Sequence, residues 1–268
     1  FMSGAVEVSI DGAPATLDDM THVALVNYGA YTSFRVEQGG VRGLDLHLAR
    51  LEAEAVELFG AAPGDSHLRG LMRSAVGGRD DCWLRVSLFS PDISPRTPDW
   101  QGVPGVMIAV SPPPVPLADA PRLQIQTYVR EAAHLKHAAT FGLIRARRRA
   151  RLAGFDDALF VDAEGVISEG SLWNVGFVRG DQVIWPRAPM LAGVAQALVQ
   201  LGLADAGLTG RAEPLHVADL ERFDAAFLCN SATPACAIAA IGAQIFAMRP
   251  GLIERLQGAW ASNPVQPI

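Results

Sequence analysis

The sequence predicts an α+β fold divided into two domains. Short strand patterns and amphipathic helices alternate irregularly, and a proline-rich stretch interrupts them near the middle of the chain. The chain lacks a G-x-G-x-x-G loop and a repeated strand-helix alternation, which argues against a single doubly wound parallel sheet. Its 268 residues, half of them apolar, are enough to bury the cores of two modest domains.

Residues 1–112 predict the smaller, N-terminal α+β domain. Apolar residues recur at helical spacing between Leu46 and Phe59, and Gly60 follows directly as a helix-ending residue. Alternating apolar and polar residues indicate strands elsewhere. We expect extended segments at 6–10 and 24–36, helices at 46–59 and 68–76, and strands at 82–89 and 106–110.

Proline marks the boundary between the two predicted domains. Residues 111–121 read Ser-Pro-Pro-Pro-Val-Pro-Leu-Ala-Asp-Ala-Pro. Because proline fixes φ and lacks an amide donor, this composition disfavours a helix and favours a stiff extended chain. We therefore predict a linker at 113–121.

Residues 122–268 predict the larger, C-terminal α+β domain. Its middle part reads as a meander, with turns at 162–165 and 180–181 between alternating strands. The expected elements are strands at 123–129 and 158–161, an extended segment at 166–178, strands at 183–185 and 225–228, and helices at 141–153 and 193–206.

Composition excludes several classes of function. The net charge of −6 argues against a nucleic-acid partner, because such binding needs clustered cations. No apolar stretch has the ~20 residues of a membrane span, and we expect a cytoplasmic protein. Three irregularly spaced cysteines and six histidines without ligand spacing give no disulfide framework and no metal site.

Lys136 is the only lysine among the 22 basic residues, and the other 21 are arginine. Arginine replaces lysine as a surface cation at little cost, but its guanidinium does not deprotonate to a nucleophilic amine. A lysine kept in such a composition is a candidate for imine chemistry. The alternative is a surface lysine that remained by chance.

Glu169 lies in an extended, largely apolar segment, residues 166–174. A carboxylate buried in such a strand needs a cationic or protonated partner, and a protonated pyridine nitrogen is one such partner. The alternative is a strand-edge glutamate in contact with water.

Two features could bind a phosphate group. Gly193 opens an apolar helix, so the amides of Gly193, Val194 and Ala195 could point at an anion with the helix dipole aiding them. Arg50, on the predicted helix at 46–59, could reach the same group with its fork of donors. A surface ion pair with Glu54 is the alternative for Arg50.

The segment from Cys229 to Pro234 follows a short apolar strand and contains small polar residues. This composition suits a turn whose amide and hydroxyl groups face an anion. Ser231 and Ala232 lie at its centre.

In this order and spacing, the residues resemble the class IV (fold type IV) pyridoxal 5′-phosphate (PLP) enzymes. That family includes branched-chain and D-amino-acid aminotransferases and 4-amino-4-deoxychorismate lyase. The matching motifs are Tyr28-Gly29, His47 to Leu51, Lys136, Gly154 to Leu159, Glu164-Gly165, Glu169 to Ser171 with Asn174, Leu191 to Val194, and Asn230-Ser231.

The resemblance implies a role for each candidate residue. Lys136 would form the Schiff base with PLP and move protons, and Glu169 would bind the pyridine nitrogen. The phosphate ligands would be Arg50, Gly193, Val194, Ala195 and Ser231. The substrate pocket would include Tyr28, Tyr31, Arg85 and Ala232, with Arg85 on a substrate carboxylate. The resemblance also implies a homodimer, PLP between the two domains, and a pseudo-barrel in the larger one.

The reaction type remains open between related chemistries. Arg85 favours an aminotransferase acting on a small amino acid and a 2-oxo acid. Phe141 stands where branched-chain enzymes have a tyrosine, and residues 30–36 and 229–231 look closer to the lyase, which forms p-aminobenzoate and pyruvate. We expect an aminotransferase, with the lyase as the first alternative and a non-catalytic PLP-fold binding protein as the second.

Overall fold

A computed structural model of the chain describes residues 6–117 and 120–268. Helices and strands are mixed throughout, which confirms the predicted α+β class. The chain divides into two compact units. The first contains the described residues up to Val115, together with Leu135–Ala139 and Val265–Ile268; the second contains the described residues of Pro116–His134 and Thr140–Pro264.

The chain order of the elements is as follows. The strands are β1 Glu7–Ile10, β2 Ala13–Pro14, β3 Ala30–Glu37, β4 Gly40–Arg42, β5 Asp81–Phe89, β6 Gly105–Ser111, β7 Arg122–Thr127, β8 Asp157–Val161, β9 Ile167–Gly170, β10 Asn174–Arg179, β11 Gln182–Pro186, β12 Thr209–Glu213, β13 Ala225–Asn230, β14 Thr233–Ala237, β15 Ala240–Ile241, β16 Gln244–Ile245 and β17 Val265–Pro267. The helices are α1 Leu17–Leu25, α2 Leu44–Phe59, α3 Asp65–Val76, α4 Phe141–Leu152, α5 Val194–Gly202 and α6 Pro250–Ala261, with a 3₁₀ turn at Val217–Arg222. Within the described ranges, no helix is both long and apolar enough to cross a membrane.

The first unit is built on a seven-stranded sheet in the order β17-β4-β3-β5-β6-β1-β2, in which all neighbours are antiparallel. The helix α2 buries one face, as its apolar spacing predicts. That face consists of Leu44, Leu48, Leu51, Ala55 and Phe59, which pack with the sheet residues in one core. Gly60 ends the helix in the left-handed conformation, with φ of 80°.

The predicted extended segment 24–36 is wrong at its start. The helix α1 continues to Leu25, and only the residues from Ala30 onward form a strand. A capping box explains the helix, because the Thr16 side chain accepts from the Asp19 amide while the Asp19 side chain accepts from the Thr16 amide. The Thr-x-x-Asp pattern was the signal for it.

The second unit contains two five-stranded sheets. Their orders are β12-β11-β10-β13-β14 and β16-β15-β7-β8-β9, and both mix parallel and antiparallel neighbours. One core cluster takes residues from both sheets, among them Leu123, Leu159, Phe177 and Ile184. Neither sheet closes into a barrel in the part of the chain that the structure describes, so the expected pseudo-barrel is not found there and the larger unit has two open sheets instead.

The units differ from the contiguous ranges 1–112 and 122–268 that the sequence predicts. The chain passes from one unit to the other between Val115 and Pro116, inside the predicted linker 113–121. Ala118 and Asp119 of that linker lie outside the described residues. The segment Leu135–Ala139 belongs to the first unit because its main chain bonds to the start of β3.

Gly29 immediately precedes β3 and has no room for a side chain. A Cβ there would lie 2.2 Å from the Leu88 carbonyl oxygen. Gly29→Ala should therefore destabilise the protein by about 1–3 kcal/mol, since β3 or β5 must move. Urea unfolding monitored by circular dichroism measures the change.

Gly70→Ala provides the matched control. Gly70 lies inside α3, and a Cβ there meets nothing within 4 Å. Alanine should stabilise the helix there by roughly 0.5–1 kcal/mol because of its higher helix propensity. Equal midpoints for both variants would contradict the close approach at Gly29.

Candidate active site

The main chain of Lys136 is fixed against the beginning of β3. The Tyr31 amide donates to the Lys136 carbonyl at 2.9 Å, and the Ala138 amide donates to the Gly29 carbonyl at 2.7 Å. A β-bridge between Ala30 and His137 completes this short pairing. The only lysine of the chain thus extends from a hydrogen-bonded backbone rather than from a loose loop.

One aromatic ring contacts two cations beside this segment. The Lys136 Nζ lies 4.9 Å from the centroid of the buried Tyr31 ring, and the Arg85 guanidinium carbon lies 3.6 Å from the same centroid. Both distances are within the range of cation-π attraction. Tyr31 therefore brings together two of the residues that the sequence singles out, Lys136 and Arg85.

Arg85 is a largely buried cation. Burial lowers the pKa of Arg85, and contact with Tyr31 partly offsets that effect; an arginine nevertheless stays charged. Its Nε donates to the Ser87 hydroxyl at 3.3 Å, and within the described residues no carboxylate forms an ion pair with it. Such a cation is suited to bind an anionic group of a ligand.

Tyr28 lies in a different environment from Tyr31. Its side chain is 44% exposed, its hydroxyl donates to the Leu58 carbonyl at 3.2 Å, and its ring packs edge-on against Phe59. These contacts attach Tyr28 to the end of α2. Of the two tyrosines, Tyr31 is the one that contacts Lys136.

Arg50 belongs to a buried polar network between α2 and β3. Its Nη2 donates to the Thr32 hydroxyl at 2.8 Å, and that oxygen also lies 2.6 Å from the His47 Nδ1. Its Nε lies 3.9 Å from the Glu54 carboxylate, one helical turn later. The ion pair that the sequence suggested therefore exists, but it is buried rather than exposed at the surface.

The second unit holds Glu169 in a buried ion pair. The Arg130 Nη1 lies 3.1 Å from the Glu169 Oε1, and both side chains are only 6% exposed. The same Nη1 donates to the Ala133 carbonyl at 3.3 Å. The expected burial of Glu169 is thus observed, and Arg130 is a cationic partner that the sequence analysis missed.

The turn after Glu169 is held by Asp157. One oxygen of this buried carboxylate accepts from the Ser171 hydroxyl at 2.6 Å, and the other accepts from the Trp173 indole at 3.0 Å. Arg147 approaches the second oxygen at 3.5 Å. These bonds divide the predicted extended segment 166–178 into β9 and β10, with Glu169 near the end of the first.

Asn174 connects the beginning of β10 to the beginning of α5. Its side-chain amide donates to the Leu191 carbonyl at 2.9 Å. A Cβ at Gly193 would lie 1.9 Å from the Asn174 Oδ1, so only glycine fits at this N-cap. The amides that follow, of Val194 and Ala195, lie in the first turn, where a helix offers donors that it does not use itself.

The turn between β13 and β14 is shaped by Asn230. Its Oδ1 accepts from the amides of Ala232 and Thr233 at 3.0 and 2.8 Å. Its side-chain amide donates to the Leu172 carbonyl at 3.2 Å, which ties this turn to the one after Glu169. The amide of Ala232 is therefore engaged within the turn that Ser231 belongs to.

Other chemistries have less support in this chain. All three cysteines are buried, and burial raises the pKa of both the Cys82 and Cys229 thiols. Such thiols are poor nucleophiles. The searched residues, 6–117 and 120–268, contain no group of three or more side chains that could hold a metal ion.

The family model described as "Amino-transferase class IV" matches residues 29–241, from Gly29 beside the Lys136 segment through the turn at Asn230. This chain belongs to the class IV aminotransferase family. Two curated relatives, each named a probable branched-chain-amino-acid aminotransferase, come from Rickettsia felis and Rickettsia conorii. They are 31% and 30% identical over 99 residues, which is 36% of this chain, and each match spans only 34% of the relative's length.

Solved structures of other aminotransferases share the fold. The Escherichia coli branched-chain amino acid aminotransferase has a TM-score of 0.82 at 17% identity, covering 96% of this chain and 93% of the other. The branched-chain enzyme from the thermophilic archaeon Thermoproteus uzoniensis, solved with norvaline, has a TM-score of 0.80 at 21% identity, with 96% and 94% covered. A hypothetical aminotransferase from Mycobacterium tuberculosis, in a PLP-bound form, has a TM-score of 0.78 at 20% identity, with 96% and 99% covered.

His47 gives this class IV chain a specific pH dependence. Burial, aided by the charges of Arg50 and Lys136, holds the pKa of His47 well below its ordinary value of 6.5. The unfolded chain therefore binds a proton near that pH, whereas the folded protein does not. The stability contributed by neutral His47 is fully present above 6.5 and is lost as the pH falls below it, by up to about 1.4 kcal/mol per unit.

His47→Asn should reduce this slope, measured by urea unfolding between about pH 7.5 and pH 5.5. His67→Asn, which removes an exposed histidine on α3, is the control and should keep the wild-type slope. An unchanged slope in His47→Asn would show that His47 does not carry the effect.

Proposed function

We propose that this protein is a PLP-dependent aminotransferase that exchanges an amino group between a small amino acid and a 2-oxo acid, with PLP attached to Lys136. The observation that carries the proposal is the placement of the chain's only lysine, fixed by main-chain hydrogen bonds beside Tyr31 and Arg85. Family membership supports it, and so do the names of the two partial relatives.

The donors in the chain fit the chemical groups of PLP. The cofactor needs an amine for its aldehyde, an acid for its pyridine nitrogen and donors for its phosphate. We assign Lys136 as the amine and Glu169 as the acid. The phosphate donors are Arg50, the first turn of α5 from Gly193 through Val194 and Ala195, and the hydroxyl of Ser231.

Bound PLP supplies an electron sink for the negative charge that forms when the substrate loses its α-proton. The residues of this chain do the remaining work. The Lys136 amine would be the base that accepts the substrate's α-proton and would hold it for return. Glu169 keeps a proton on the pyridine nitrogen, and Arg130 holds the Glu169 carboxylate in position.

Arg85 and Tyr31 orient the substrate in this proposal. Arg85 binds the substrate carboxylate with its guanidinium, which has no carboxylate partner among the described residues. The Tyr31 ring holds both Arg85 and the Lys136 amine at defined distances, so the carboxylate and the proton acceptor have a fixed relation. Tyr28 and Ala232 complete the proposed pocket.

We also propose that the protein is a homodimer, because the family resemblance implies one.

Covalent attachment at Lys136 is directly measurable. The purified protein incubated with PLP should turn yellow, and borohydride should fix one label per chain on the peptide that contains Lys136. Lys136→Arg keeps the charge but cannot form an imine, so it should lose both the label and at least about 100-fold in activity.

Arg148→Lys is the matched control for the labelling. It adds a second lysine on an exposed face of α4, and the label should stay at one per chain on the same peptide. Labelling of the new lysine to the same extent, or no label in the wild-type protein, would contradict attachment at a specific site.

The type of reaction is decided by a substrate panel. Incubation with L- and D-amino acids should convert the visible spectrum to that of the pyridoxamine form for at least one small amino acid. Arg85→Gln should raise the KM for that amino acid by about tenfold or more, because a charge-assisted bond to its carboxylate is lost, and should leave the label on Lys136.

Two results would overturn the aminotransferase assignment. If no amino acid converts the spectrum while aminodeoxychorismate yields p-aminobenzoate and pyruvate, the protein is a lyase. If neither reaction occurs although Lys136 carries the label, the protein is a non-catalytic member of the fold.

A further inference from the structure

Glu54 is a buried carboxylate that the proposed reaction does not use. It lies on α2, one turn after Arg50, and is 2% exposed. A carboxylate removed from water is costly unless charged or hydrogen-bonded partners compensate it. The residues around Glu54 therefore indicate what its charge does.

The first partner of Glu54 is the main chain of Lys136. The Lys136 amide donates to the Glu54 Oε1 at 2.6 Å, which is short for an amide donor and typical of a charge-assisted bond. The two residues are 82 positions apart in the chain, so this contact depends on the fold. A neutral acceptor would make a weaker bond.

The second partner of Glu54 is Arg50. The same Oε1 lies 3.9 Å from the Arg50 Nε. One carboxylate oxygen therefore faces both the proposed phosphate ligand and the backbone of the proposed Schiff-base lysine. Arg50 is further fixed by its bond to the Thr32 hydroxyl.

The peptide groups on both sides of the Lys136 Cα are held. Its amide donates to Glu54, and its carbonyl accepts from the Tyr31 amide at 2.9 Å. A lysine side chain has a flexible four-carbon stem, so a fixed Cα restricts the volume that its amine can reach. The bond to Glu54 thus acts on the amine through the backbone.

We propose that Glu54 is a positioning residue that fixes Arg50 and the Lys136 backbone relative to each other and so sets the geometry in which PLP is held. The inference rests on the proposed attachment of PLP to Lys136. It concerns how tightly and in what environment the cofactor is bound, not whether the amine reacts.

The charges around Lys136 make the role of Glu54 measurable in the spectrum. On α2, Glu54 bonds to the Lys136 amide, Arg50 lies beside Glu54, and the charge of Lys136 acts on His47. Tyr31 of β3 contacts the Lys136 amine, and Arg85 of β5 contacts the same Tyr31 ring. Removing the negative charge of Glu54 makes the potential around the amine more positive. The bound Schiff base should then hold its proton less well, and the pH at which its visible absorbance changes should fall.

The test compares Glu54→Gln with Glu52→Gln. Both remove one carboxylate from α2, but Glu52 is exposed. For each variant and the wild-type protein we would measure the PLP dissociation constant, the pH titration of the visible absorbance, and the melting temperature of the apo form. Glu54→Gln should weaken PLP binding about 10- to 100-fold and lower the titration midpoint, whereas Glu52→Gln should change neither.

The outcomes separate this inference from the proposed function. If the wild-type protein takes up no PLP at Lys136, the proposed function fails and this inference fails with it. If wild-type and Glu54→Gln proteins share one dissociation constant and one titration midpoint, the function stands and the role of Glu54 is overturned.

Glu54→Asp covers the case in which the glutamine variant does not fold. It keeps the charge but shortens the side chain by one carbon, so it should weaken PLP binding. The pH midpoint of its visible absorbance should lie closer to the wild-type value than that of Glu54→Gln. Loss of the folded apo form in both variants would assign Glu54 to folding and overturn the proposal.

Discussion

The position of the Lys136 amine depends on the hydrogen bonds that join residues 136–138 to the chain between Gly29 and Tyr31. Lysine is a flexible side chain, so its usefulness as an attachment point depends on a backbone that does not move. The close approach of Gly29 to the Leu88 carbonyl brings β3 and β5 together directly beside this pairing. Tyr31, on β3, then contacts both the Lys136 amine and the Arg85 guanidinium from β5.

Each unit contains a buried carboxylate paired with an arginine. Glu54 lies near Arg50 in the first unit, and Glu169 pairs with Arg130 in the second. Buried ion pairs contribute little net stability, because desolvation offsets most of the attraction. Both pairs instead hold main-chain atoms at or just before Lys136 in place. Glu54 accepts from the Lys136 amide, and Arg130 donates to the Ala133 carbonyl.

Much of this arrangement could be predicted from the sequence, for identifiable reasons. The helix α2 and the strand β5 follow their apolar periodicity, and the lone lysine in an arginine-rich chain singled out the residue to which we propose that PLP attaches. Glu169 was identified by its apolar surroundings, but its partner Arg130 was not. An ion pair over 39 positions leaves no local pattern, and the same holds for the bond from Lys136 to Glu54. The helix α1 was missed although its capping box is local, and its last residues were included in the extended segment predicted at 24–36.

The seven-stranded sheet takes one of its edge strands from residues 265–267, which pair with β4, and Arg69 and Arg73 bond to the carbonyls of Pro267 and Ile268. During synthesis these residues leave the ribosome after all the other strands of the sheet, at about 5–20 residues per second. The edge of β4 in the nascent first unit therefore stays unpaired until the whole second unit has been synthesised. An unpaired strand edge can pair with another chain. Folding of the unit that carries the lysine is coupled in time to translation of the unit that carries Glu169.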